Sequence, residues 1–282
     1  MLPDPAASSV ALAPGAGSLE VLRRGQRSVV TRAAAASPLR FLTPRNHGSA
    51  AWIYAATYGG GLVGGDAVSL DLSVGPDATA MLSTQASTKV YRSPRGTSHT
   101  LNATVSSGAL LALLPDPVVC FAASAYRQRQ RVRLEGDGAL VLMDCVSSGR
   151  HARGERWCFD RYSSRLEVYL DGRLAVLDSI ALDPEDGDLP TRLGRFNAIA
   201  FIAIAGAGVA TWASDALAAV EAMSVEKRSD LVIGGSPIGP EGRDGCILRL
   251  AGVRFEEVAA AARGLLQFLP VLLGDDPWAR KW

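Results

Sequence analysis

The sequence predicts a mainly β protein, a single many-stranded domain of the β-solenoid-like or sandwich type with two α-helices toward its C-terminus. Three observations predict this class. Apolar and polar residues alternate over short segments through the middle of the chain. Turn-forming residues interrupt those segments at intervals of about 8–12 residues, which is typical of all-β domains. Helical periodicity appears only late in the chain.

The individual strands follow from period-2 alternation, which buries one face of a strand. The segments 68–74 and 101–105 alternate in this way, and 139–144 is a short apolar strand. The segment 166–177 is a hairpin, because Asp-Gly at its centre supplies the two positive-φ residues of a type I′ turn. The apolar run 196–211 is shorter than the roughly 18–20 residues of a membrane span, so it predicts a buried strand or core segment.

The two helices are predicted near the C-terminus. The first begins with Ser214 as its N-cap and carries an apolar stripe that includes Met223. The second covers 255–268, with Glu256 in the first turn, where the helix dipole favours a carboxylate. Pro270 is expected to end or kink this second helix.

The domain limits follow from composition. Residues 1–18 are rich in Ala, Pro, Ser and Gly and are predicted to be disordered. Residues 19–282 contain no linker and no internal repeat, so they are predicted to form one domain. With 282 residues and 48% hydrophobic content, the chain is large enough to bury an extensive core.

Charge and cysteine content exclude several classes. The net charge of +1 argues against nucleic acid as the main partner, since a phosphate backbone calls for a basic excess. The four cysteines form no C-x-x-C pair, and no secretory signal is visible. We therefore expect reduced thiols and a cytoplasmic protein, without a membrane partner.

A glycine-rich segment at 59–64 matches G-x-G-x-x-G, the dinucleotide-binding pattern. In that fold a helix follows the glycines and its N-terminus binds phosphate. Here Asp66 and a predicted strand follow instead, and a carboxylate would repel phosphate. A nucleotide-binding enzyme stays open as the less favoured alternative. The favoured interpretation is a tight inter-strand turn, for which the structural residues are Gly60, Gly61, Gly64 and Gly65.

The three histidines show no i, i+2 or i, i+4 spacing that would define a metal-binding face. A looser group of potential metal ligands surrounds one of them, and it consists of Asp144, Cys145, His151, Glu155 and Cys158. Transition metals such as nickel accept nitrogen, oxygen and sulfur ligands, so this group is a candidate for a transient metal site. The spacing matches no tight metal site.

Two other features have structural and partner-binding interpretations. Lys89 lacks the neighbours of a catalytic lysine, so we expect a structural lysine paired with a carboxylate such as Asp66 or Asp71. On a strand, four alternating arginines project from one face, either into solvent or toward an acidic partner. These candidate partner-binding residues are Arg127, Arg129, Arg131 and Arg133.

Five segments, in this order, resemble the UreD/UreH family of urease accessory proteins from about residue 19 to residue 282. They are YGGGLVGGD (58–66), STQASTKVYRS (83–93), LPDPVVCF (114–121), SGRHARGE (148–155) and DGCILRLAG (244–252). The third and fourth resemble plant and fungal members more than typical bacterial ones. The resemblance implies a fold of many β-strands, partly in the β-solenoid sense, with two α-helices.

The resemblance also implies a function. Such proteins are not enzymes; they bridge apo-urease to a UreF-type accessory protein and a UreG-type GTPase and assist nickel insertion. We expect nickel to be carried transiently along a path of weak ligands, with Asp66, Asp144 and Glu155 lining or gating it and Arg150 delivered by the same turn as Glu155. The alternative is a pure protein–protein scaffold with no metal contact.

Overall fold

The computed structural model describes residues 12–224 and 226–279, and it confirms the predicted class, with 48% strand and 16% helix. Most strands lie in two sheets. In spatial order, sheet A consists of β14 (Arg173–Leu182), β13 (Arg161–Leu170), β11 (Ala125–Leu134), β8 (Thr97–Val105), β5 (Ala67–Val74), β1 (Ala16–Arg24) and β2 (Arg27–Ala35).

Sheet B packs against sheet A and is larger. In spatial order it consists of β16 (Leu231–Ile238), β17 (Gly245–Gly252), β15 (Ala198–Ala205), β12 (Ala139–Ser147), β9 (Leu110–Leu114), β6 (Thr79–Thr84), β4 (Ala51–Thr57) and β3 (Leu39–Leu42). Two short strands, β7 (Thr88–Val90) and β10 (Val118–Cys120), extend sheet B beside β12. Strand β10 pairs with β12 on one side and with β7 on the other.

The middle of the chain is a β-solenoid, because successive strands alternate between the sheets. In sheet A, β5, β8, β11 and β13 are parallel neighbours. In sheet B, β4, β6, β9 and β12 are parallel neighbours. Each turn of the chain therefore adds one strand to each sheet. The antiparallel strands β15, β17 and β16 then widen sheet B.

Apolar side chains fill the space between the sheets. Leu72, Leu101 and Val132 of sheet A meet Leu111 and Leu142 of sheet B, and all five are at most 3% exposed. Each such burial contributes about 1.5–3 kcal/mol to folding. The polar partners of these residues in the alternating pattern face outward, which confirms the period-2 interpretation.

Three helices cover the opposite face of sheet B. They are α2 (Ala210–Glu221), α3 (Phe255–Leu265) and α4 (Leu269–Leu273). The short helix α1 (Leu189–Arg192) instead buries Leu189 in a separate cluster with Trp157 and Phe159. Ala213 and Ala216 of α2 and Ala262 of α3 belong to the same buried cluster as Ala200 and Ile202 of β15. Small residues on both sides let helix and sheet approach closely.

Both predicted helices are present, but their limits differ from the prediction. The first begins at Ala210, four residues before the predicted cap Ser214, because a 3-10 turn carries the chain from β15 directly into the helix without a side-chain cap. Met223 lies beyond that helix and is 45% exposed. The second ends at Leu265, and Pro270 lies in the first turn of α4, where no N–H is needed.

The predicted hairpin is confirmed. Asp171 and Gly172 have φ values of 46° and 81° between β13 and β14. Of the segment predicted to be disordered, residues 1–11 lie outside the described residues, whereas β1 begins at Ala16, before the predicted domain limit. Within the described ranges, no helix is long and apolar enough to cross a membrane.

Candidate functional site

Four of the five segments that carry the family resemblance lie at one end of the solenoid. The segments 58–66, 83–93, 114–121 and 148–155 lie at or follow the carboxyl ends of β4, β6, β9 and β12, respectively. Since these strands are parallel neighbours, their carboxyl ends lie side by side. The solenoid therefore gathers residues that are far apart in sequence.

Backbone hydrogen bonds join these segments. The N–H of Leu62 donates to the carbonyl of Lys89 at 2.8 Å, and the N–H of Tyr91 donates to the carbonyl of Leu62 at 2.9 Å. Strand β10 then pairs with β7 on one side and with β12 on the other. Beneath them lies a buried aromatic group that includes Trp157 and Phe159. The four segments thus form one ordered surface.

A cavity of about 140 Å³ lies under this surface, between the two sheets. Its lining includes Gly60, Gly61 and the β6–β7 connection at 84–88. Its polar lining includes His99, Asp116, Gln128, Gln130 and Asp144. Apolar residues of the inter-sheet core surround them, so the cavity is a small polar site inside an apolar sandwich.

Asp144 is at the centre of the polar network in this cavity. Its Oδ2 accepts hydrogen bonds from Nε2 of Gln128 at 2.5 Å and from Nε2 of Gln130 at 3.2 Å. The hydroxyl of Tyr126 donates to Oε1 of Gln128 at 3.0 Å. Oε1 of Gln130 is buried and has no hydrogen-bond partner among the described residues. The network therefore offers one uncommitted buried acceptor close to a carboxylate.

Burial changes the protonation of the ionisable groups here. Desolvation raises the pKa of Asp144 to about 6, and the hydrogen bond from Gln128 only partly opposes that effect. Desolvation lowers the pKa of His99, so its imidazole is neutral at pH 7. With a pKa of about 6 the Asp144 carboxyl is still mostly ionised at pH 7, and both a carboxylate and a neutral imidazole are metal ligands.

A second cavity, of about 270 Å³, is also lined by Asp144. Its lining includes Tyr162, Ser164 and the ion pair between Arg249 and Asp178, whose nearest atoms are 2.6 Å apart. This ion pair links β17 of sheet B to β14 of sheet A. Asp144 lines both cavities, and the second one reaches the surface beside Arg249, whose side chain is 56% exposed.

The other two carboxylates predicted to line a nickel path have structural contacts. Oδ2 of Asp66 accepts the N–H of Val63 at 2.8 Å and so closes the glycine-rich turn. Glu155 forms an ion pair with Arg150 and accepts the N–H of Ala122 at 3.3 Å. Neither lines the two interior cavities. Of the three, the structure brings only Asp144 into the interior.

The looser group of metal-ligand residues does not converge. His151 is exposed on a 3-10 turn, whereas Cys145 is buried and burial raises the pKa of its thiol to about 12. All four thiols are free, and Cys158 is the exposed one. Among the described residues, no three or more His, Cys, Asp or Glu side chains are grouped so as to hold a metal ion.

The glycine-rich segment forms a turn between strands, followed by β5 and not by a helix. Gly60 and Gly65 have positive φ, and a Cβ on Gly61 would lie 2.6 Å from the carbonyl oxygen of Lys89. Gly64 has only ordinary contacts. Three of the four predicted structural glycines are thus required by backbone conformation or close approach.

The predicted ion pair of Lys89 is wrong. Lys89 is exposed on β7 and forms no ion pair with any described residue. The two carboxylates proposed for it have other contacts, because Asp66 closes its own turn and Asp71 accepts from Nδ2 of Asn102 at 3.0 Å. The structural contribution of Lys89 is its backbone carbonyl, which anchors the glycine-rich turn through Leu62.

The four arginines of β11 do share one face, directed away from the core. Arg127, Arg129 and Arg133 are exposed, and Arg131 is paired with Glu167 of β13, with 2.8 Å between Nη2 and Oε2. The prediction of a common face is therefore confirmed. Whether a partner binds there stays a prediction.

Sequence reasoning missed most of the interior polar residues, namely His99, Asp116, Gln128 and Gln130. A signal for two of them was present. If the arginines of β11 face outward, the alternating glutamines must face inward, and amides on an inward face indicate a polar interior. No comparable signal exists for His99, which reaches the cavity only because β8 lies beside β11.

Comparison with known proteins agrees with this architecture. The family profile described as "UreD urease accessory protein" matches residues 13–282. The chain is 51% identical to a urease accessory protein UreD of Sorangium cellulosum (strain So ce56), over 95% of this chain and 84% of that protein. It is 42% identical to one of Anaeromyxobacter sp. (strain Fw109-5), over 96% and 91%, respectively.

Plant relatives also match along their whole length. The urease accessory protein D of Arabidopsis thaliana is 34% identical over 93% of this chain and 99% of that protein. The expected likeness to plant members is therefore present, although the two bacterial relatives are more similar. On the family match and these identities, the chain belongs to the UreD family of urease accessory proteins.

Proposed function

We propose that this protein bridges apo-urease to a UreF-type protein and a UreG-type GTPase in the cytoplasm, and that nickel passes through its interior on the way to urease. Membership of the family supports a role in urease maturation. The bridging and the nickel path go beyond it. In this proposal the chain catalyses no reaction and binds no nucleic acid.

The observation that carries the nickel path is that Asp144 lines both cavities. Free nickel binds nitrogen and sulfur ligands strongly, so a path must offer weak and mostly oxygen ligands. The polar lining supplies oxygen ligands through the Asp144 carboxylate and the Gln130 carbonyl oxygen, and His99 adds a single nitrogen ligand beside them. No tight thiolate site is involved, since the Cys145 thiol stays protonated at neutral pH.

The scaffold alternative places nickel elsewhere and assigns the carboxylates to folding alone. The contacts of Asp66 and Glu155 fit that alternative, whereas the interior position of Asp144 favours a path. The nucleotide-binding alternative loses support because β5, and not a helix N-terminus, follows Gly64. Saturable binding of a nucleotide to the purified chain would revive it.

The Asp144→Asn variant tests the path. We expect it to assemble with the accessory proteins and apo-urease as the wild type does, but to lower the nickel content of urease several-fold, because a neutral amide is a poorer ligand than a carboxylate. Asp71→Asn is the matched control, since Asp71 lies on the outer face of sheet A.

Two further variants separate path from scaffold. Asp66→Asn and Glu155→Gln are expected to load nickel normally wherever they assemble, because their carboxylates lie outside both cavities. Full nickel loading by assembled Asp144→Asn would refute the path and leave the scaffold. Failure of the wild-type chain to assemble with apo-urease and the accessory proteins would refute the bridging role.

A further inference from the structure

The outer face of sheet A carries an unusual concentration of arginine. Cross-strand register places Arg161 and Arg165 of β13 beside the four arginines of β11. Two carboxylates pair with this group: Glu167 receives hydrogen bonds from Nε of Arg131 at 2.8 Å and from Nε of Arg165 at 2.7 Å, and Asp183 lies 3.5 Å from Nε of Arg161. This arginine face therefore has a strong positive excess, although the whole chain has a net charge of only +1.

Three of these guanidinium groups have no carboxylate partner among the described residues. Arg127 and Arg129 are exposed, and Arg133 lies over the ring of Tyr169 at 5.9 Å. Like charges in a row repel one another, and mixed charge is the usual surface arrangement. An unneutralised row on one strand therefore indicates a complementary surface outside the chain.

An apolar border adjoins the arginine face. Leu174 and Leu177 of the edge strand β14 are 43% and 50% exposed, and their cross-strand neighbours are Tyr169 and Glu167, respectively. Large exposed apolar side chains next to Arg and Tyr are the composition of protein–protein interfaces. A nucleic acid or other polyanion binds mainly through charge, so it would leave the two exposed leucines uncovered.

A basic groove lies at one end of the arginine face. It has a volume of about 390 Å³, and its lining includes three arginines, Arg95, Arg127 and Arg161, and one carboxylate, that of Asp66. The Asp66 carboxylate is committed to its own turn, where Oδ2 accepts the N–H of Val63 at 2.8 Å. Nη2 of Arg95 is fixed by a hydrogen bond to the carbonyl of Gly64 at 2.9 Å. The groove can hold a carboxylate between guanidinium groups, which bind carboxylates in bidentate fashion.

We propose that the outer face of β8, β11, β13 and β14 is the docking surface for an acidic protein partner. One carboxylate of the partner binds in the basic groove, others lie over Arg129 and Arg133, and apolar side chains cover Leu174 and Leu177. Four strands of about ten residues present a face of roughly 33 Å by 19 Å, close to one side of a standard interface. This inference rests on the proposed bridging role and names the surface that performs it.

The test compares two double charge reversals of equal size. Arg127→Glu with Arg129→Glu changes the arginine face, and Arg24→Glu with Arg32→Glu changes exposed arginines at the opposite edge of sheet A. Binding of each purified variant to apo-urease, to the UreF-type protein and to the UreG-type GTPase is measured at low and moderate salt. A third variant, Leu174→Ser with Leu177→Ser, tests the apolar border.

We expect the arginine-face variant to bind one of the three partners at least tenfold more weakly, the leucine variant to weaken the same complex, and the control to bind as the wild type does. Affinity within twofold of the wild type for all three partners would overturn the docking surface while leaving the bridging role intact. Loss of heparin or DNA binding alone would also overturn it, in favour of a polyanion site. A wild-type chain that binds none of the three would refute both proposals.

Discussion

At the residue scale, the burial of Asp144 couples the ionisation of its carboxyl to the stability of the fold. Its carboxyl has a pKa of about 6 in the folded chain, against 3.8 as the ordinary value, because burial disfavours the ionised form. Above pH 6 the folded protein must hold a desolvated charge that the unfolded chain exposes to water. The folded state accepts this cost, which favours a functional reason for an ionisable group at that position.

The Asp144→Asn variant is expected to lose this pH dependence. Between pH 4 and pH 6 the unfolded carboxyl is ionised while the folded one is still protonated, so wild-type stability falls as pH rises through that window. The two-unit difference corresponds to at most about 3 kcal/mol. The free energy of unfolding is measured in urea at pH 5.0 and pH 7.5. The value for the variant minus that for the wild type should be larger at pH 7.5 than at pH 5.0. An equal difference in unfolding free energy between variant and wild type at both pH values would contradict a raised pKa for Asp144.

Glu167 should behave in the opposite way. Hydrogen bonds from Arg165 and Arg131 lower the pKa of its carboxyl to about 2, and its side chain is 7% exposed, covered by those arginines. The stability that it contributes is complete above pH 4.5 and is lost as pH falls toward 2. Glu167→Gln should lower the free energy of unfolding by about 1–2 kcal/mol at pH 7, since the pair lies near solvent.

The check on Glu167 is urea unfolding at pH 7 beside Asp71→Asn, an exposed carboxylate on the same sheet face, which should change stability by less than about 0.5 kcal/mol. Equal effects of the two substitutions would show that the arginine contacts of Glu167 contribute nothing particular. Glu167 also limits repulsion within the arginine face, so its loss should be most damaging at low salt.

Individual residues were the hardest scale to predict from sequence. The common face of the β11 arginines followed from alternation alone, because side-chain direction on a strand has period two. The roles of Asp66 and Glu155 could not be predicted from the sequence, because a carboxylate beside glycines is equally suited to closing a turn and to facing a cavity. Only the fold shows that Asp66 is bound to its own turn and that Asp144 faces inward.

At the element scale, Arg156 makes most of the side-chain hydrogen bonds that attach the segment after β12 to the segment after α1. The indole of Trp157 also donates to the carbonyl of Phe196 at 2.9 Å, and the N–H of Ser148 donates to the carbonyl of Asn197 at 2.7 Å. Arg156 donates to Oδ1 of Asn197 at 2.5 Å and to the carbonyls of Gly194 and Phe196. These contacts satisfy carbonyl groups of an irregular stretch that has few partners of its own. The position of the fourth family segment therefore depends on a connection more than thirty residues further along the chain.

Arg156→Ala should loosen this attachment. We expect the free energy of unfolding to fall by about 2–3 kcal/mol, because several charge-assisted hydrogen bonds disappear together and the part-buried Oδ1 of Asn197 loses the donor Arg156. Amide hydrogen exchange should accelerate around Gly194 and Asn197. The control is Arg153→Ala, an exposed arginine on the neighbouring 3-10 turn. Unchanged exchange in the Arg156 variant would contradict the assignment.

Elements were predicted where local pattern determines them. The strands 68–74 and 139–144 and the Asp171-Gly172 hairpin follow from alternation and turn chemistry, and all three are present. The start of α2 was misplaced because polar N-cap chemistry marks only some helix starts, and here a 3-10 turn takes its place. Strand pairing was not predictable, because parallel neighbours are joined by contacts between residues distant in sequence.

At the scale of the whole molecule, the solenoid explains why the family segments recur along the chain. The first four begin at residues 58, 83, 114 and 148, so they are 25, 31 and 34 residues apart, and each interval is one turn of the solenoid. That spacing is a sequence signal for convergence at one end of the molecule. The interior cavity lies directly beneath that end.

The central claim is that nickel reaches urease through this interior, and blocking the cavity tests it without changing any ligand. Ala86 is exposed and lines the cavity beside the glycine-rich turn, so Ala86→Trp should obstruct the path, whereas Ala33→Trp on exposed β2 should not. The measurement is nickel bound per urease active site after loading by each assembled complex. The account predicts a several-fold lower content with Ala86→Trp and wild-type content with Ala33→Trp; full loading by the Ala86→Trp complex would contradict it.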